Sequence, residues 1–252
     1  MSSSESPAVS SASSGPAVLL ISDVDDTVKI THVTRRFRAA VRGLVRRSVF
    51  GGMAVLYREM NPDLVFISGS PRFLHGRIRR TLVTRGGFPP ARIVLRDWWA
   101  ERDIVAFKDA NIAATCRACS LPVVLVGDDA EHDPEVFVKA AARQAAGRVV
   151  AIYIRQNIGR PLPDGIVPFR TAFDIAVNEH RAGRLSAASA LRVGAAVVEA
   201  AQTQARHLFP PFYDWPLRAR AGLDPSPLDV AAPPPSAPPL AHMAAEVEAA
   251  LR

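Results

Sequence analysis

Three carboxylates fall within four residues at Asp23-Val24-Asp25-Asp26, and Thr27 follows directly. Packed so closely they repel one another unless a proton or a cation intervenes. Magnesium suits such a group, because it is a hard cation that takes carboxylate and phosphate oxygens. The plainer reading is a helix start, where Asp and Thr cap backbone amides. A cap explains one Asp, not three behind an apolar run. A second acidic group stands at Gly127-Asp128-Asp129-Ala130-Glu131-His132-Asp133-Pro134. It too points to a metal, although Asp133-Pro134 also reads as a cap followed by a first-turn proline. Between them, Ser68-Gly69-Ser70-Pro71 offers a small hydroxyl to a phosphoryl oxygen and starts a helix whose amides favour anions. Alone, that segment is an ordinary Ser-capped turn. Lys108 is one of three lysines, with Lys29 and Lys139. It is a point charge able to neutralise a phosphoryl centre, or, alone, a solvated helix lysine.

These residues are useful together only if the fold gathers them. Short apolar runs at 17–23, 64–68, 92–95, 122–128 and 149–154 read as buried parallel strands. Helical stretches are predicted between and after them, at about 35–60, 72–85, 106–119, 134–146 and 171–205, the last in one or two pieces. Strand–helix alternation implies a parallel sheet covered on both faces, with ligands beyond the carboxyl ends of its strands. Asp23, Asp25, Ser68, Gly127 and Asp128 all fall at such ends.

In this order the four segments resemble the haloacid-dehalogenase (HAD) superfamily pattern of DxDxT, then Ser/Thr, then Lys, then GDxxxxD. More narrowly, ISDVDDTVK, GMAVLYRE, FISGSPRFL, the Lys108 segment, LVGDDAEHDPEVF and AIYIRQ are similar to the catalytic domain of the actin-patch-associated phosphatidate phosphatase family, over roughly residues 17–175. The resemblance implies an α/β fold, a HAD-like three-layer Rossmannoid domain with a parallel sheet and a small helical cap or insert. It implies Mg²⁺-dependent hydrolysis of phosphatidate to diacylglycerol and phosphate. Asp23 is then the nucleophile, Asp25 the acid and base, and Thr27 part of the same catalytic loop. Asp23, Asp25 (through its main-chain carbonyl as well) and Asp128 are the metal ligands. Ser68 and Lys108 hold the phosphoryl oxygens, and Gly69, Ser70 and Arg72 belong to the substrate site. Asp129 or Asp133 supports metal-bound water or Lys108, an alternative the residues leave open. Two departures bear on substrate preference. Relatives often carry a further domain ahead of this one, where here a Ser-rich stretch precedes the first strand, and Arg72 stands where an aromatic is frequent.

The domain boundaries expected are a disordered Ser-rich tail at 1–16, a phosphatase domain at 17–208 and a Pro-rich tail at 209–252. The cap region is placed at 31–60 and C-terminal helices at 171–205. The last stretch of the tail, LAHMAAEVEAALR, has the makings of a short helix. Within the cap region Arg35, Arg36, Arg38, Arg42, Arg46 and Arg47 run beside Phe37, Val41, Leu44 and Val45 at helical spacing. That pattern fits either a core-packed helix with a solvated arginine face or a basic amphipathic helix on an anionic membrane. The formal net charge of +7 in 252 residues makes an anionic partner plausible, and equally a solvated basic surface. No apolar run approaches the roughly 20 residues that span a bilayer. The N-terminus lacks the features of a secretory signal, so a cytoplasmic, peripheral location is expected. Cys116 and Cys119 form a CxxC without a second ligand pair, and read as reduced, partly buried thiols. The Pro-rich tail suits a polyproline-binding partner or plain disorder. Competing functions keep the same residues but use a soluble phosphomonoester or a nucleic-acid end as substrate, or bind phospholipid without catalysis.

Overall fold

The computed structural model describes residues 17–25, 27–28, 49–203 and 238–251. The Ser-rich start, Asp26, the arginine-rich part of the cap region and most of the Pro-rich tail lie outside the described residues.

The described chain forms a six-stranded parallel sheet: β1 (Leu19–Ser22), β2 (Asp63–Pro71), β3 (Arg92–Arg96), β4 (Val123–Asp128), β5 (Val149–Arg155) and β6 (Val167–Phe169). Their order across the sheet is β3-β2-β1-β4-β5-β6. The chain builds outward from β1 to β3, returns to place β4 beside β1, and builds outward the other way. The strand order therefore reverses between β1 and β4, where such sheets open a crevice at their carboxyl ends. Ser22 pairs with Val126 in that register.

Alternation along the strands explains the three layers. Leu20, Leu64, Phe66, Val124, Val126 and Tyr153 face one core. Covering it are α1 (Met53–Met60), α2 (His75–Arg79), α5 (Ala172–Arg181), α6 (Ala187–Thr203) and α7 (Pro239–Leu251). Leu19, Ile21, Val65, Ile67, Leu125 and Ile154 face the other core, covered by α3 (Ile104–Ala118) and α4 (Asp133–Ala142).

Four features depart from the sequence expectations. Of the helix expected over 35–60, the described part is α1 alone, preceded by a turn at Gly51-Gly52. Residues 72–85 are not one regular helix but a 3₁₀ turn (Arg72–Leu74), α2 and a π-helical stretch (Arg80–Arg85). Strand β6 follows β5 as an edge strand. Helix α7, inside the segment assigned to the Pro-rich tail, packs Leu240, Ala244, Val247 and Leu251 into the first core. Its seat on α6 depends on Gly194, where an added Cβ would lie 2.3 Å from Met243 Cγ. Among the described residues no helix is long and apolar enough to cross a membrane.

Candidate active site

The sheet reversal sets the first two carboxylates side by side. The Asp23 amide donates to the Val126 carbonyl (2.9 Å), continuing the β1–β4 ladder one residue past β1. Asp128 ends β4 and is buried, as is Asp23. Thr27, fully buried, closes the gap. Its hydroxyl lies 3.1 Å from Asp128 Oδ2 and 3.3 Å from Asp23 Oδ2. The nucleophile candidate is braced from below by a buried relay. The Tyr57 hydroxyl donates to Ser22 Oγ (2.8 Å), which donates to the Asp23 carbonyl (2.8 Å). Burial pushes the Tyr57 hydroxyl well above its usual range, so it remains a donor.

Lys108 enters from α3. Asp103 caps this helix, accepting the Val105 amide (2.8 Å) and the Ala106 amide (3.1 Å). Lys108 shares its inward face with Ile112 and is buried. Its ammonium lies 3.0 Å from Asp23 Oδ1, pairs closely with Asp133 Oδ1, and lies 3.8 Å from Glu131. Burial alone would lower the Lys108 pKa. Asp133, Asp23 and Glu131 outweigh it and hold the ammonium well above its usual value, so Lys108 carries its charge.

Asp133 is the first residue of α4, after His132 at the cap position, and no side chain caps this helix. The capping role available to Asp133 from sequence is not taken up, because its carboxylate turns to Lys108 instead. Gly127 makes room for it. A Cβ at 127 would lie 2.6 Å from Asp133 Oδ2 and 2.7 Å from Phe137 Cε2. Gly127→Ala is expected to destabilise the protein by about 1–3 kcal/mol through overpacking and to weaken the Asp133–Lys108 pair. Chemical denaturation checks the first effect, and an unchanged midpoint would refute it.

Asp23, Asp128 and Asp133 offer carboxylate oxygens that all lie within 4.8 Å of one another. Among the described residues, Lys108 pairs with two of these acids, Asp23 and Asp133. Asp133 Oδ2 is buried without a hydrogen-bond partner. Burial pushes the Asp23 carboxyl well above its usual range. Lys108 opposes that rise, while Asp133, Asp128 and Asp25 add to it. Three buried carboxylates gathered this closely repel one another unless positive charge intervenes, so the donor set fits a divalent cation.

The remaining expected site residues divide between two places. The Asp25 side chain turns toward β2, where its Oδ2 accepts from Ser68 (3.1 Å) and Ser70 (2.8 Å), and the Ser70 amide donates to Ser68 Oγ (3.0 Å). Gly69 accepts the indole N–H of Trp98 on its carbonyl (2.8 Å). Arg72 points outward, 3.5 Å from Asp97. Asp129 does not face Lys108 through any bond of its own. Its carboxylate accepts the amides of Asn157 (2.6 Å), Ile158 (3.0 Å) and Gly159 (2.7 Å), tying down the segment after β5. Of the two candidates for supporting Lys108, Asp133 makes the contact.

Arg155 has no role in the sequence reading beyond its place in AIYIRQ. Buried at the end of β5, it donates to the Thr27 carbonyl (2.9 Å) and to the Arg170 carbonyl, and lies over the rings of Phe50 (3.8 Å) and Phe169 (4.6 Å). It fastens the loop that carries Thr27 to the segment at Phe50. There the Phe50 amide donates to the Val28 carbonyl (3.0 Å). An arginine directly after an apolar strand is the only signal that could have marked it.

Comparison with known proteins agrees with this arrangement. The family described as phosphatidate phosphatase APP1, catalytic domain, matches residues 18–156, more than half of the chain, from β1 through the residue after β5. The yeast (Saccharomyces cerevisiae) protein named phosphatidate phosphatase APP1 is 28% identical over 156 residues, covering 54% of this chain and 25% of its own length. The chain thus spans about a quarter of that relative. With Asp23, Ser68, Lys108, Asp128 and Asp133 all inside the matched region, the chain belongs to the phosphatidate phosphatase APP1 catalytic domain family.

Proposed function

We propose that this protein is a Mg²⁺-dependent phosphatase of HAD type that hydrolyses phosphatidate to diacylglycerol and phosphate through an aspartyl-phosphate on Asp23. The observation that carries the proposal is a buried carboxylate, Asp23, held 3.0 Å from a charged lysine within a cluster of acids that fits one divalent cation. Family membership supports the substrate class.

Asp23 attacks phosphorus and the P–O bond to the glycerol oxygen breaks. Asp25 gives its proton to the departing alkoxide, then takes one from the water that hydrolyses the aspartyl-phosphate. Its contacts with Ser68 and Ser70 orient it for both transfers. Ser68 and Lys108 bind the phosphoryl oxygens as negative charge spreads over them. Asp133 holds Lys108 at that task. Asp23, Asp128 and the main-chain carbonyl of Asp25 would hold Mg²⁺, which would supply positive charge beside the phosphate when bound. The enzyme acts from the cytoplasmic side as a peripheral protein on an anionic membrane surface that carries its substrate.

The test is phosphate release from phosphatidate in mixed micelles. Chelation is expected to lower the rate at least about 100-fold, with recovery on adding Mg²⁺. Full activity in chelator would overturn the metal assignment. A higher kcat/KM on small soluble phosphoesters than on phosphatidate would overturn the substrate assignment.

A further inference from the structure

The large apolar side chains that stand exposed among the described residues are Phe73 (81%), Trp99 (93%) and Ile158 (44%). Each follows the carboxyl end of a strand: Phe73 after β2, Trp99 after β3, Ile158 after β5. Since the sheet is parallel, those ends share one edge, the edge that carries Asp23 and Asp128. In sheet order Phe73 and Trp99 stand on one side of the acidic cluster and Ile158 on the other.

These positions are built, not frayed. Asp97 Oδ1 accepts the amides of Trp99 (3.1 Å) and Ala100 (3.3 Å), and Glu101 accepts the amide of Asp97 (2.8 Å). The neighbouring Trp98 folds inward and donates to the Gly69 carbonyl, pinning the turn to the end of β2. Asp129 fixes Ile158 through three amides. A fixed turn that presents a tryptophan to water keeps apolar area exposed at a cost, which an apolar partner removes.

The charge that follows Phe73 selects the partner, while the turn that carries Trp99 sets Asp97, Glu101 and Asp103 against Arg96 and Arg102. From residue 64 to residue 96 the chain contains seven arginines and neither Asp nor Glu. Arg77, Arg79, Arg80 and Arg85 are exposed, and among the described residues none of them forms an ion pair. Tryptophan prefers the polar–apolar boundary of a bilayer, and clustered arginines are drawn to anionic headgroups.

We propose that this rim is a membrane-contact surface. Phe73 and Trp99 enter the interfacial region of an anionic bilayer, with Ile158 beyond the active centre, while Arg77 and Arg80, one and two turns after Phe73, reach toward the lipid phosphates. The proposal deepens the phosphatidate reading, because it turns the mouth of the site toward the lipid. It places contact on the strand-end turns, whereas the membrane alternative read from the sequence placed it on residues 31–60.

The experiment is co-sedimentation of the full chain with phosphatidylcholine vesicles containing phosphatidylserine and no phosphatidate, so binding is read without turnover. Phe73→Ala/Trp99→Ala and, separately, Arg77→Glu/Arg80→Glu are expected to weaken binding at least about tenfold. Both pairs should keep the wild-type thermal transition. Wild-type binding should fall in high salt and be weak on pure phosphatidylcholine. Equal partition onto neutral and anionic vesicles, or wild-type binding by either double variant, would overturn the surface. So would a solution dimer of the wild type that the Phe73/Trp99 pair abolishes without any vesicle binding to lose. Anchored binding combined with no hydrolysis of phosphatidate would support the surface and overturn the substrate.

Discussion

Asp23→Asn should abolish phosphate release, lowering turnover at least about 10⁴-fold, as loss of a covalent nucleophile does in enzymes whose residues act as a unit. The fold should survive. Asparagine keeps the shape of the side chain, and its amide oxygen can still accept from Thr27. Stability in chelator should hold or rise, for a specific reason. Burial beside Asp128 and Asp133 makes the Asp23 carboxylate costly to ionise, and a neutral amide removes one charge from that crowd. Lys108 keeps Asp133 as its partner. The variant should therefore gain less stability from Mg²⁺ than the wild type does, since one ligand charge is gone. Phosphate release and thermal unfolding, each with and without Mg²⁺, measure these effects. Near-normal turnover would remove Asp23 from the nucleophile role. Loss of the folded state would show that the residue is structural first.

The parts of this fold that the sequence reveals are those in which one residue's type reports its own surroundings. Apolar runs such as LLIS and VVLVGD mark β1 and β4 because strands buried on both faces need apolar side chains throughout. Asp23 and Asp128 stand out because an acid closing such a run has few plain explanations. Strand β6 is hidden because Val167-Pro168-Phe169 is short and holds a proline, tolerable only because it lies at an edge. The irregular helix over 72–85 is hidden because 3₁₀, α and π turns share much the same apolar spacing there. Asp133 shows a deeper limit. An Asp-Pro pair reads the same whether the carboxylate caps its own helix or reaches across to Lys108. What decides is Gly127, whose missing side chain leaves the space. Arg155 bonds to main-chain carbonyls far away in sequence, at Thr27 and Arg170, which leave no mark on residue type. The exposed Trp99 is hidden in the same way, because only the inward turn of Trp98 shows that its neighbour faces out.

Lys108→Met offers the sharpest separation between a catalytic cluster and a merely solvated helix lysine. A surface lysine contributes within about 0.5 kcal/mol. Lys108 is buried between Asp23 and Asp133, and removing it strands two acids that no other described cation contacts at ion-pair distance. Breaking a buried pair on one side costs about 3–5 kcal/mol. The variant is therefore expected to lose that much stability in chelator, measured by chemical denaturation. Turnover should fall about 10²–10³-fold or more, as removal of a transition-state donor does. Divalent cations make the argument stricter. If the acids form one ion site, Mg²⁺ should return part of the lost stability to Lys108→Met, because the ion replaces charge the lysine supplied. Adding Asp133→Asn should also relieve the defect, giving a double variant less destabilised than the sum of the singles, since one fewer charge is left bare. Additive losses, with no response to Mg²⁺, would mean that Lys108 and the acids are neighbours without being a unit. The chemistry assigned to them would then lose its physical basis.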